Sequence, residues 1–194
     1  MGRKAEEAVE ILSGLVAFKA PVARDRACQE RLPRAQRPDE RDALREAAKG
    51  LIGKAYGDYA NRRQAVQDEP GFDEKQWTKL AEMGLLGLPF AEEDGGVGAG
   101  PVEIGIVCQE LGRVIAPGPL LPTVSQFAPA VREVGTPEQH AQFLGAVAAG
   151  ELTGSLAIAE PTGSFDPADV NASVAFDGDE VVLSGTKSFV VEGD

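Results

Sequence analysis

The chain has 194 residues, 43% of them hydrophobic, which is enough to bury a core in one domain or two small ones and too apolar for a disordered tail. Its formal net charge of -12 opposes the counterion-release attraction behind nucleic-acid binding and gives no support to docking on anionic lipid. An anionic ligand would need a local cationic patch.

The first residues, MGRKAEEAVEILSGLVAF, put Glu6, Glu7 and Glu10 where a secretion signal needs an apolar run. Glu6 also breaks the myristoylation pattern, and no apolar run reaches the roughly eighteen residues of a membrane span. The expectation is a cytoplasmic protein without membrane attachment. Cys28 and Cys108 lie far apart and form no C-x-x-C pair, which predicts reduced thiols and no disulfide.

Residues 1–37 hold one amphipathic stretch (Val9, Ile11, Leu12, Leu15, Val16) and an Arg-rich run ending in Pro33 and Pro38, and read as an extension. From Asp39, a plausible N-cap, the apolar residues Leu44, Ala48, Leu51, Ile52, Ala55, Tyr56 and Tyr59 recur at helical spacing. A second helix is predicted from Asp73, with Gln76 three residues on, Trp77, Leu80 and Ala81 as its apolar positions and Gly84 as a left-handed stop. LLGLPF and the glycine-rich AEEDGGVGAG follow. Pro101 then opens a third helix with apolar positions Val102, Ile106, Cys108 and Leu111. APGPLLPT breaks it, and a helix from about Ser125 to Val134 is closed by Gly135. The next start combines Thr136 as cap, Pro137 at the first helical position and Gln139 at the reciprocal capping position, with an end at Gly150.

Beyond Gly150 the period becomes strand-like, with Leu156 and Ile158, then Val174 and Phe176, a hairpin turn at Asp177-Gly178 and a return strand from Val181 to Leu183. Helices first and strands second predict an α+β fold, an all-α helical bundle over 38–152 followed by an antiparallel β-domain begun over 153–194.

Several motifs read as structural. Gly95, Gly96, Gly98 and Gly100 precede a helix start, but G-x-G-x-x-G would need glycine where Pro101 stands, so the loop is no dinucleotide site. GTKS at 185–188 lacks the order of a P-loop. His140, the only histidine, sits on a solvated helix face without partners for a metal site or a triad. Glu160, between Ala159 and Pro161, is the best-placed carboxylate for base work, yet reads rather as a structural group bonding nearby backbone N–H donors.

GSLAIAEPTGSFDPADV (154–170) and VVLSGTKSFVVEGD (181–194) resemble the start of the middle β-domain of the acyl-CoA dehydrogenases, where an xxTEPxxGSD turn and a G-x-K-x-W-I-[ST] strand meet a flavin. GFDEKQWTKLAEMGLLGLPFAEEDGGVGAG, IVCQELGRVIAPGPLLPT and GTPEQHAQFLGAVAAGELTGSLAIAEP resemble that family's helices, glycine-rich loop and entry to the β-domain, in the family's order. The resemblance implies an FAD enzyme that desaturates an acyl-CoA thioester at the α,β position and passes electrons to an electron-transfer flavoprotein. It implies a homo- or hetero-oligomer, with the catalytic carboxylate in a C-terminal helical domain outside this sequence. It assigns Leu156, Ile158, Ala159, Phe189, Val190 and Val191 to the cofactor and Ser164 and Phe165 to the substrate side. Without it, the six cofactor positions would read as ordinary strand core.

The chain also departs from the pattern. Ala159 stands where the family has Thr, Val191 where it has Thr or Ser, Phe189 where it has Trp, and Phe165 and Ser164 take the places of the motif's Ser and last Gly. Each missing hydroxyl removes a hydrogen bond worth about 0.5–1.5 kcal/mol. The AEPxGxxDP form resembles an actinobacterial-type branch in which some members work as unequal subunits and not all bind FAD. It therefore implies an alternative, a non-catalytic partner subunit.

Overall fold

The computed structural model describes residues 38–67, 69–178 and 180–192; Cys28 and the amphipathic stretch at 9–16 lie outside them. Helix α1 (Pro38–Tyr56) presents Ala48, Ile52 and Tyr56 to the interior, all at most 4% exposed. It stops one turn before Tyr59, which is 66% exposed. The cause is local, since Asp58 caps a separate short helix α2 (Tyr59–Ala65) by accepting from Ala60 N–H at 2.7 Å.

Helix α3 (Glu74–Glu82) begins as expected, with Asp73 accepting from Lys75 and Gln76 N–H, and Gly84 beyond it has φ 70°. Leu85, Leu86, Leu88 and Phe90 then fold inward and are buried. The glycine-rich stretch closes on itself: Gly96 N–H donates to Ala91 O, Gly98 N–H to Phe90 O and Ala99 N–H to Leu88 O. A Cβ on Gly96 would collide with the carbonyl of Phe90. These glycines serve a tight backbone return, and their amides are spent inside the protein.

Helix α4 (Pro101–Arg113) buries Ile106 and Val107, whereas Val102 is 50% exposed and lies off the packed face. A helical run α5 starts at Leu120–Pro122, continues through a π-helical stretch Thr123–Phe127 and ends as Ala128–Val134. It begins about one turn ahead of the expected Ser125 because prolines are tolerated in a first helical turn, where their missing N–H has no partner to lose. The run α6 comprises Pro137–Gln139, a π-helical His140–Leu144 and Gly145–Ala148. Its capping box forms as read, with Gln139 N–H donating to Thr136 Oγ1 and Thr136 N–H to Gln139 Oε1. Gly150 ends it at φ 76°, where a Cβ would lie 2.8 Å from that of Ala81. His140 is half-buried and its Nε2 is closed to solvent without a described partner, so it does not lie on a solvated face.

Side chains from α1, α3, α4, α5 and α6 and from the 85–90 turn form one cluster around Leu86, Val107, Val124 and Leu144. Each such side chain contributes about 1.5–3 kcal/mol by leaving water. Among the described residues no helix is long and apolar enough to cross a membrane.

Beyond the bundle, β1 (Ser173–Asp177) and β2 (Glu180–Ser184) form a two-stranded antiparallel hairpin in which Asp177 pairs with Glu180 across the turn at Gly178. The α+β order is as predicted. The half-buried alternation is not, since every position but Val181 is exposed: no described element packs on either face. Residues 156–159 and 185–190 belong to no helix or sheet among the described residues.

Candidate functional site

The bundle hands the chain over to the strand region at Gly154. Thr123, fully buried, donates its hydroxyl to Gly154 O at 3.2 Å and accepts Gly154 N–H at 3.1 Å. The segment 155–160 then runs beside 187–192. Ser155 Oγ donates to Val191 O at 2.6 Å and to Glu192 O at 3.2 Å, and Ser188 N–H donates to Ala159 O at 2.8 Å. That single backbone bond falls short of a ladder, which needs repeated pairing. The strand-like reading of Leu156 and Ile158, and the strand that the resemblance implies at Phe189 to Val191, are therefore not realised as a sheet among the described residues. The reason is visible in the backbone: Phe189 and Glu192 have φ 57° and 50°, outside the extended region a strand requires.

The two segments nonetheless bring Leu156, Ile158 and Ala159 near Val191 and the residues ahead of it. Ala159 is buried, with its carbonyl taken by Ser188, while Ile158 and Val191 are 44% and 45% exposed and Phe189 81%. Leu156 and Val190 are half-buried. The amides of Ile158, Ala159, Phe189 and Val190 meet no acceptor among the described residues. Open apolar side chains beside unspent backbone donors suit a flat ring with a polar rim. Ser164 is bonded within its own loop. Ser164 Oγ donates to Asp169 Oδ2 at 2.6 Å and accepts Asp166 N–H, and Phe165 is 71% exposed.

Glu160 closes this region. It is 5% exposed and accepts from Asn171 N–H at 2.8 Å, Ala172 N–H at 2.9 Å and Lys187 Nζ at 3.0 Å. Those amides, then Lys187, hold its carboxyl down to about 2. A group so stabilised as the anion is a poor proton acceptor, which agrees with its structural reading.

Two further buried carboxylates escaped the sequence reading. Burial raises the Glu103 carboxyl, but Arg41 Nε at 2.8 Å and Gly100 N–H at 3.0 Å outweigh it and the net shift is downward. Glu110 is held low first by Arg113 Nε at 2.9 Å, against burial, and then by Arg45 Nη1 at 3.4 Å. The available signal was register: Arg41 and Arg45 share one face of α1, and Glu103 and Glu110 one face of α4. Cys108 is half-buried, which pushes its thiol up.

Residues 38–151 match the family model described as acyl-CoA dehydrogenase, N-terminal domain. The chain belongs to the acyl-CoA dehydrogenase family. It is 31% identical over 157 residues to the probable acyl-CoA dehydrogenase FadE25 of Mycobacterium tuberculosis, covering 80% of this chain and 40% of that protein. Its fold is similar to that of a variant of the Tcur3481-Tcur3483 steroid acyl-CoA dehydrogenase (TM-score 0.70, 34% identity, 80% of this chain and 42% of the other). It is also similar to a chain of the ChsE4-ChsE5 complex from Mycobacterium tuberculosis (TM-score 0.66, 27% identity, 80% and 39%). The chain thus spans about two fifths of the length of these acyl-CoA dehydrogenase relatives.

Proposed function

We propose that these residues form the N-terminal part of a flavin-dependent acyl-CoA dehydrogenase of lipid metabolism that desaturates an acyl-CoA thioester at the α,β position. The observation that carries this reading is the juxtaposition of 156–160 with 187–191 directly after a family-type helical bundle. Leu156, Ile158 and Val190 with Val191 would flank an isoalloxazine, the free amides of Ala159 and Phe189 would meet its polar rim, and Phe189 would cover it. When bound, FAD would supply the hydride acceptor for the β-hydrogen. Ser164 and Phe165 lie on the substrate side in this reading. In this reading the carboxylate that takes the α-proton lies outside this chain, as the family resemblance implies, and the buried Glu103, Glu110 and Glu160 serve as paired structural anions. In this reading the bundle spans 38–152 and the β-domain starts at 153. Electrons leave to an electron-transfer flavoprotein.

A second reading has a specific observation behind it. Ala159 and Val191 carry no hydroxyl, and two structural relatives are named as two-component assemblies. A partner subunit without FAD, completing a heteromer, accounts for both.

Flavin absorbance separates the readings. The 194-residue chain purified with excess FAD is expected to retain a yellow flavin band after gel filtration, with no turnover of any acyl-CoA in the presence of an artificial electron acceptor. A colourless protein that forms a flavin-loaded complex only with a second subunit favours the alternative, and turnover by the chain alone would contradict the placement of the base.

A further inference from the structure

Among the described residues of 154–192, Glu160 is the charged side chain closed to solvent, and each of its partners comes from another stretch of chain. Asn171 and Ala172 lie just ahead of β1, and Lys187 lies just after β2. The carboxylate therefore fastens the open end of the hairpin to the 156–160 segment. Lys187 grips the same segment twice, donating to Glu160 Oε1 at 3.0 Å and to Ile158 O at 3.2 Å. Its neighbour Ser188 donates to Ala159 O, so residues 158–160 and 187–188 are locked in register. At the far end Ser155 holds Val191. Phe189 and Val190 span the interval between these two attachments.

We infer that Glu160 and Lys187 are a positioning pair that sets the spacing of 156–160 against 189–191, and through it the affinity for the flavin ring, without touching the ring. The inference rests on the flavin assignment proposed above. Its chemistry is asymmetric. Two of Glu160's three donors are backbone amides, which only an acceptor can satisfy, whereas Lys187 supplies a charged donor that another cation can replace.

The test uses the 194-residue chain and three readouts: FAD affinity, amide hydrogen exchange at Asn171, Ala172 and Ser188, and the urea midpoint reported by Trp77, the only tryptophan and a buried residue of the bundle. Glu160→Gln and Lys187→Met are each expected to weaken FAD binding roughly tenfold or more, the scale of a lost charge-assisted hydrogen bond. They should speed exchange at Ser188 and leave the Trp77 midpoint unchanged, while Lys187→Arg binds FAD like the wild type. Exchanging the two residues, Glu160→Lys with Lys187→Glu, should not restore affinity. Unchanged FAD affinity with faster exchange, a Trp77 midpoint that falls in step with affinity, or rescue by the exchanged pair would each overturn the inference. If the wild type takes up no FAD, the cofactor assignment fails by itself. Exchange then decides the spacing role alone: faster exchange at all three amides in Glu160→Gln with the midpoint unmoved supports that role, and unchanged exchange refutes it.

Discussion

Glu103 does two jobs with one carboxylate. It accepts the N–H of Gly100, the half of a capping box that remains when the cap residue has no side chain, and it pairs with Arg41 across the α1–α4 contact. Its side chain is 3% exposed against 29% for Arg41, so Glu103→Gln leaves a half-buried guanidinium without its charged acceptor. The expected cost is about 1–3 kcal/mol, read as a lower urea midpoint at pH 7. The pH dependence has a definite sign. The folded carboxyl lies below its reference value of 4.5, so its contribution is complete above that value and is lost as pH falls through the folded pKa. The gap between wild type and Glu103→Gln should therefore narrow on acidification below pH 4.5. A gap that holds constant to the acid transition would contradict the linkage.

At the level of elements, α5 carries the joint between bundle and strand region. Its π-helical stretch places Thr123 inward, where one hydroxyl both donates to and accepts from Gly154. Gly154 is required there because a Cβ would lie 2.5 Å from the ring of Phe127. Thr123→Val keeps the shape and leaves the N–H and C=O of Gly154 unpaired, with an expected loss of about 1–3 kcal/mol. Thermal denaturation should show a lower midpoint for Thr123→Val than for Thr123→Ser, which keeps the hydroxyl. Equal midpoints would mean that the joint contributes no stability.

For the whole molecule, burial is uneven. The bundle holds nearly all the closed apolar side chains, while the hairpin leaves Phe176 44%, Val182 44% and Leu183 63% exposed and has no described neighbour along its outer edges. Open strand edges beside apolar patches favour association. The 194-residue chain is expected to sediment as an oligomer, and Phe176→Glu combined with Leu183→Lys to shift it toward monomer without loss of helical circular dichroism. A monomeric wild type at micromolar concentration would remove this expectation.

The sequence by itself determined the punctuation of the fold. Asp73, Gly84, Thr136-Pro137 with Gln139, Gly150 and Gly178 marked helix ends and the hairpin turn, because caps and turns depend on groups within about four residues. Periodicity likewise identified Ala48, Ile52 and Tyr56 as core. It failed at Tyr59, where the Asp58 cap restarts the helix, and at Val102, whose exposure depends on the rotation of α4 against α1. Only the tertiary structure decided the polar contacts. Arg41 meets Glu103 across 62 residues, Thr123 meets Gly154 across 31 and Lys187 meets Glu160 across 27. The departure of Phe189 from extended geometry belongs to the same level. Such pairings depend on which faces of distant elements meet, a property of packing that local spacing along the chain does not encode.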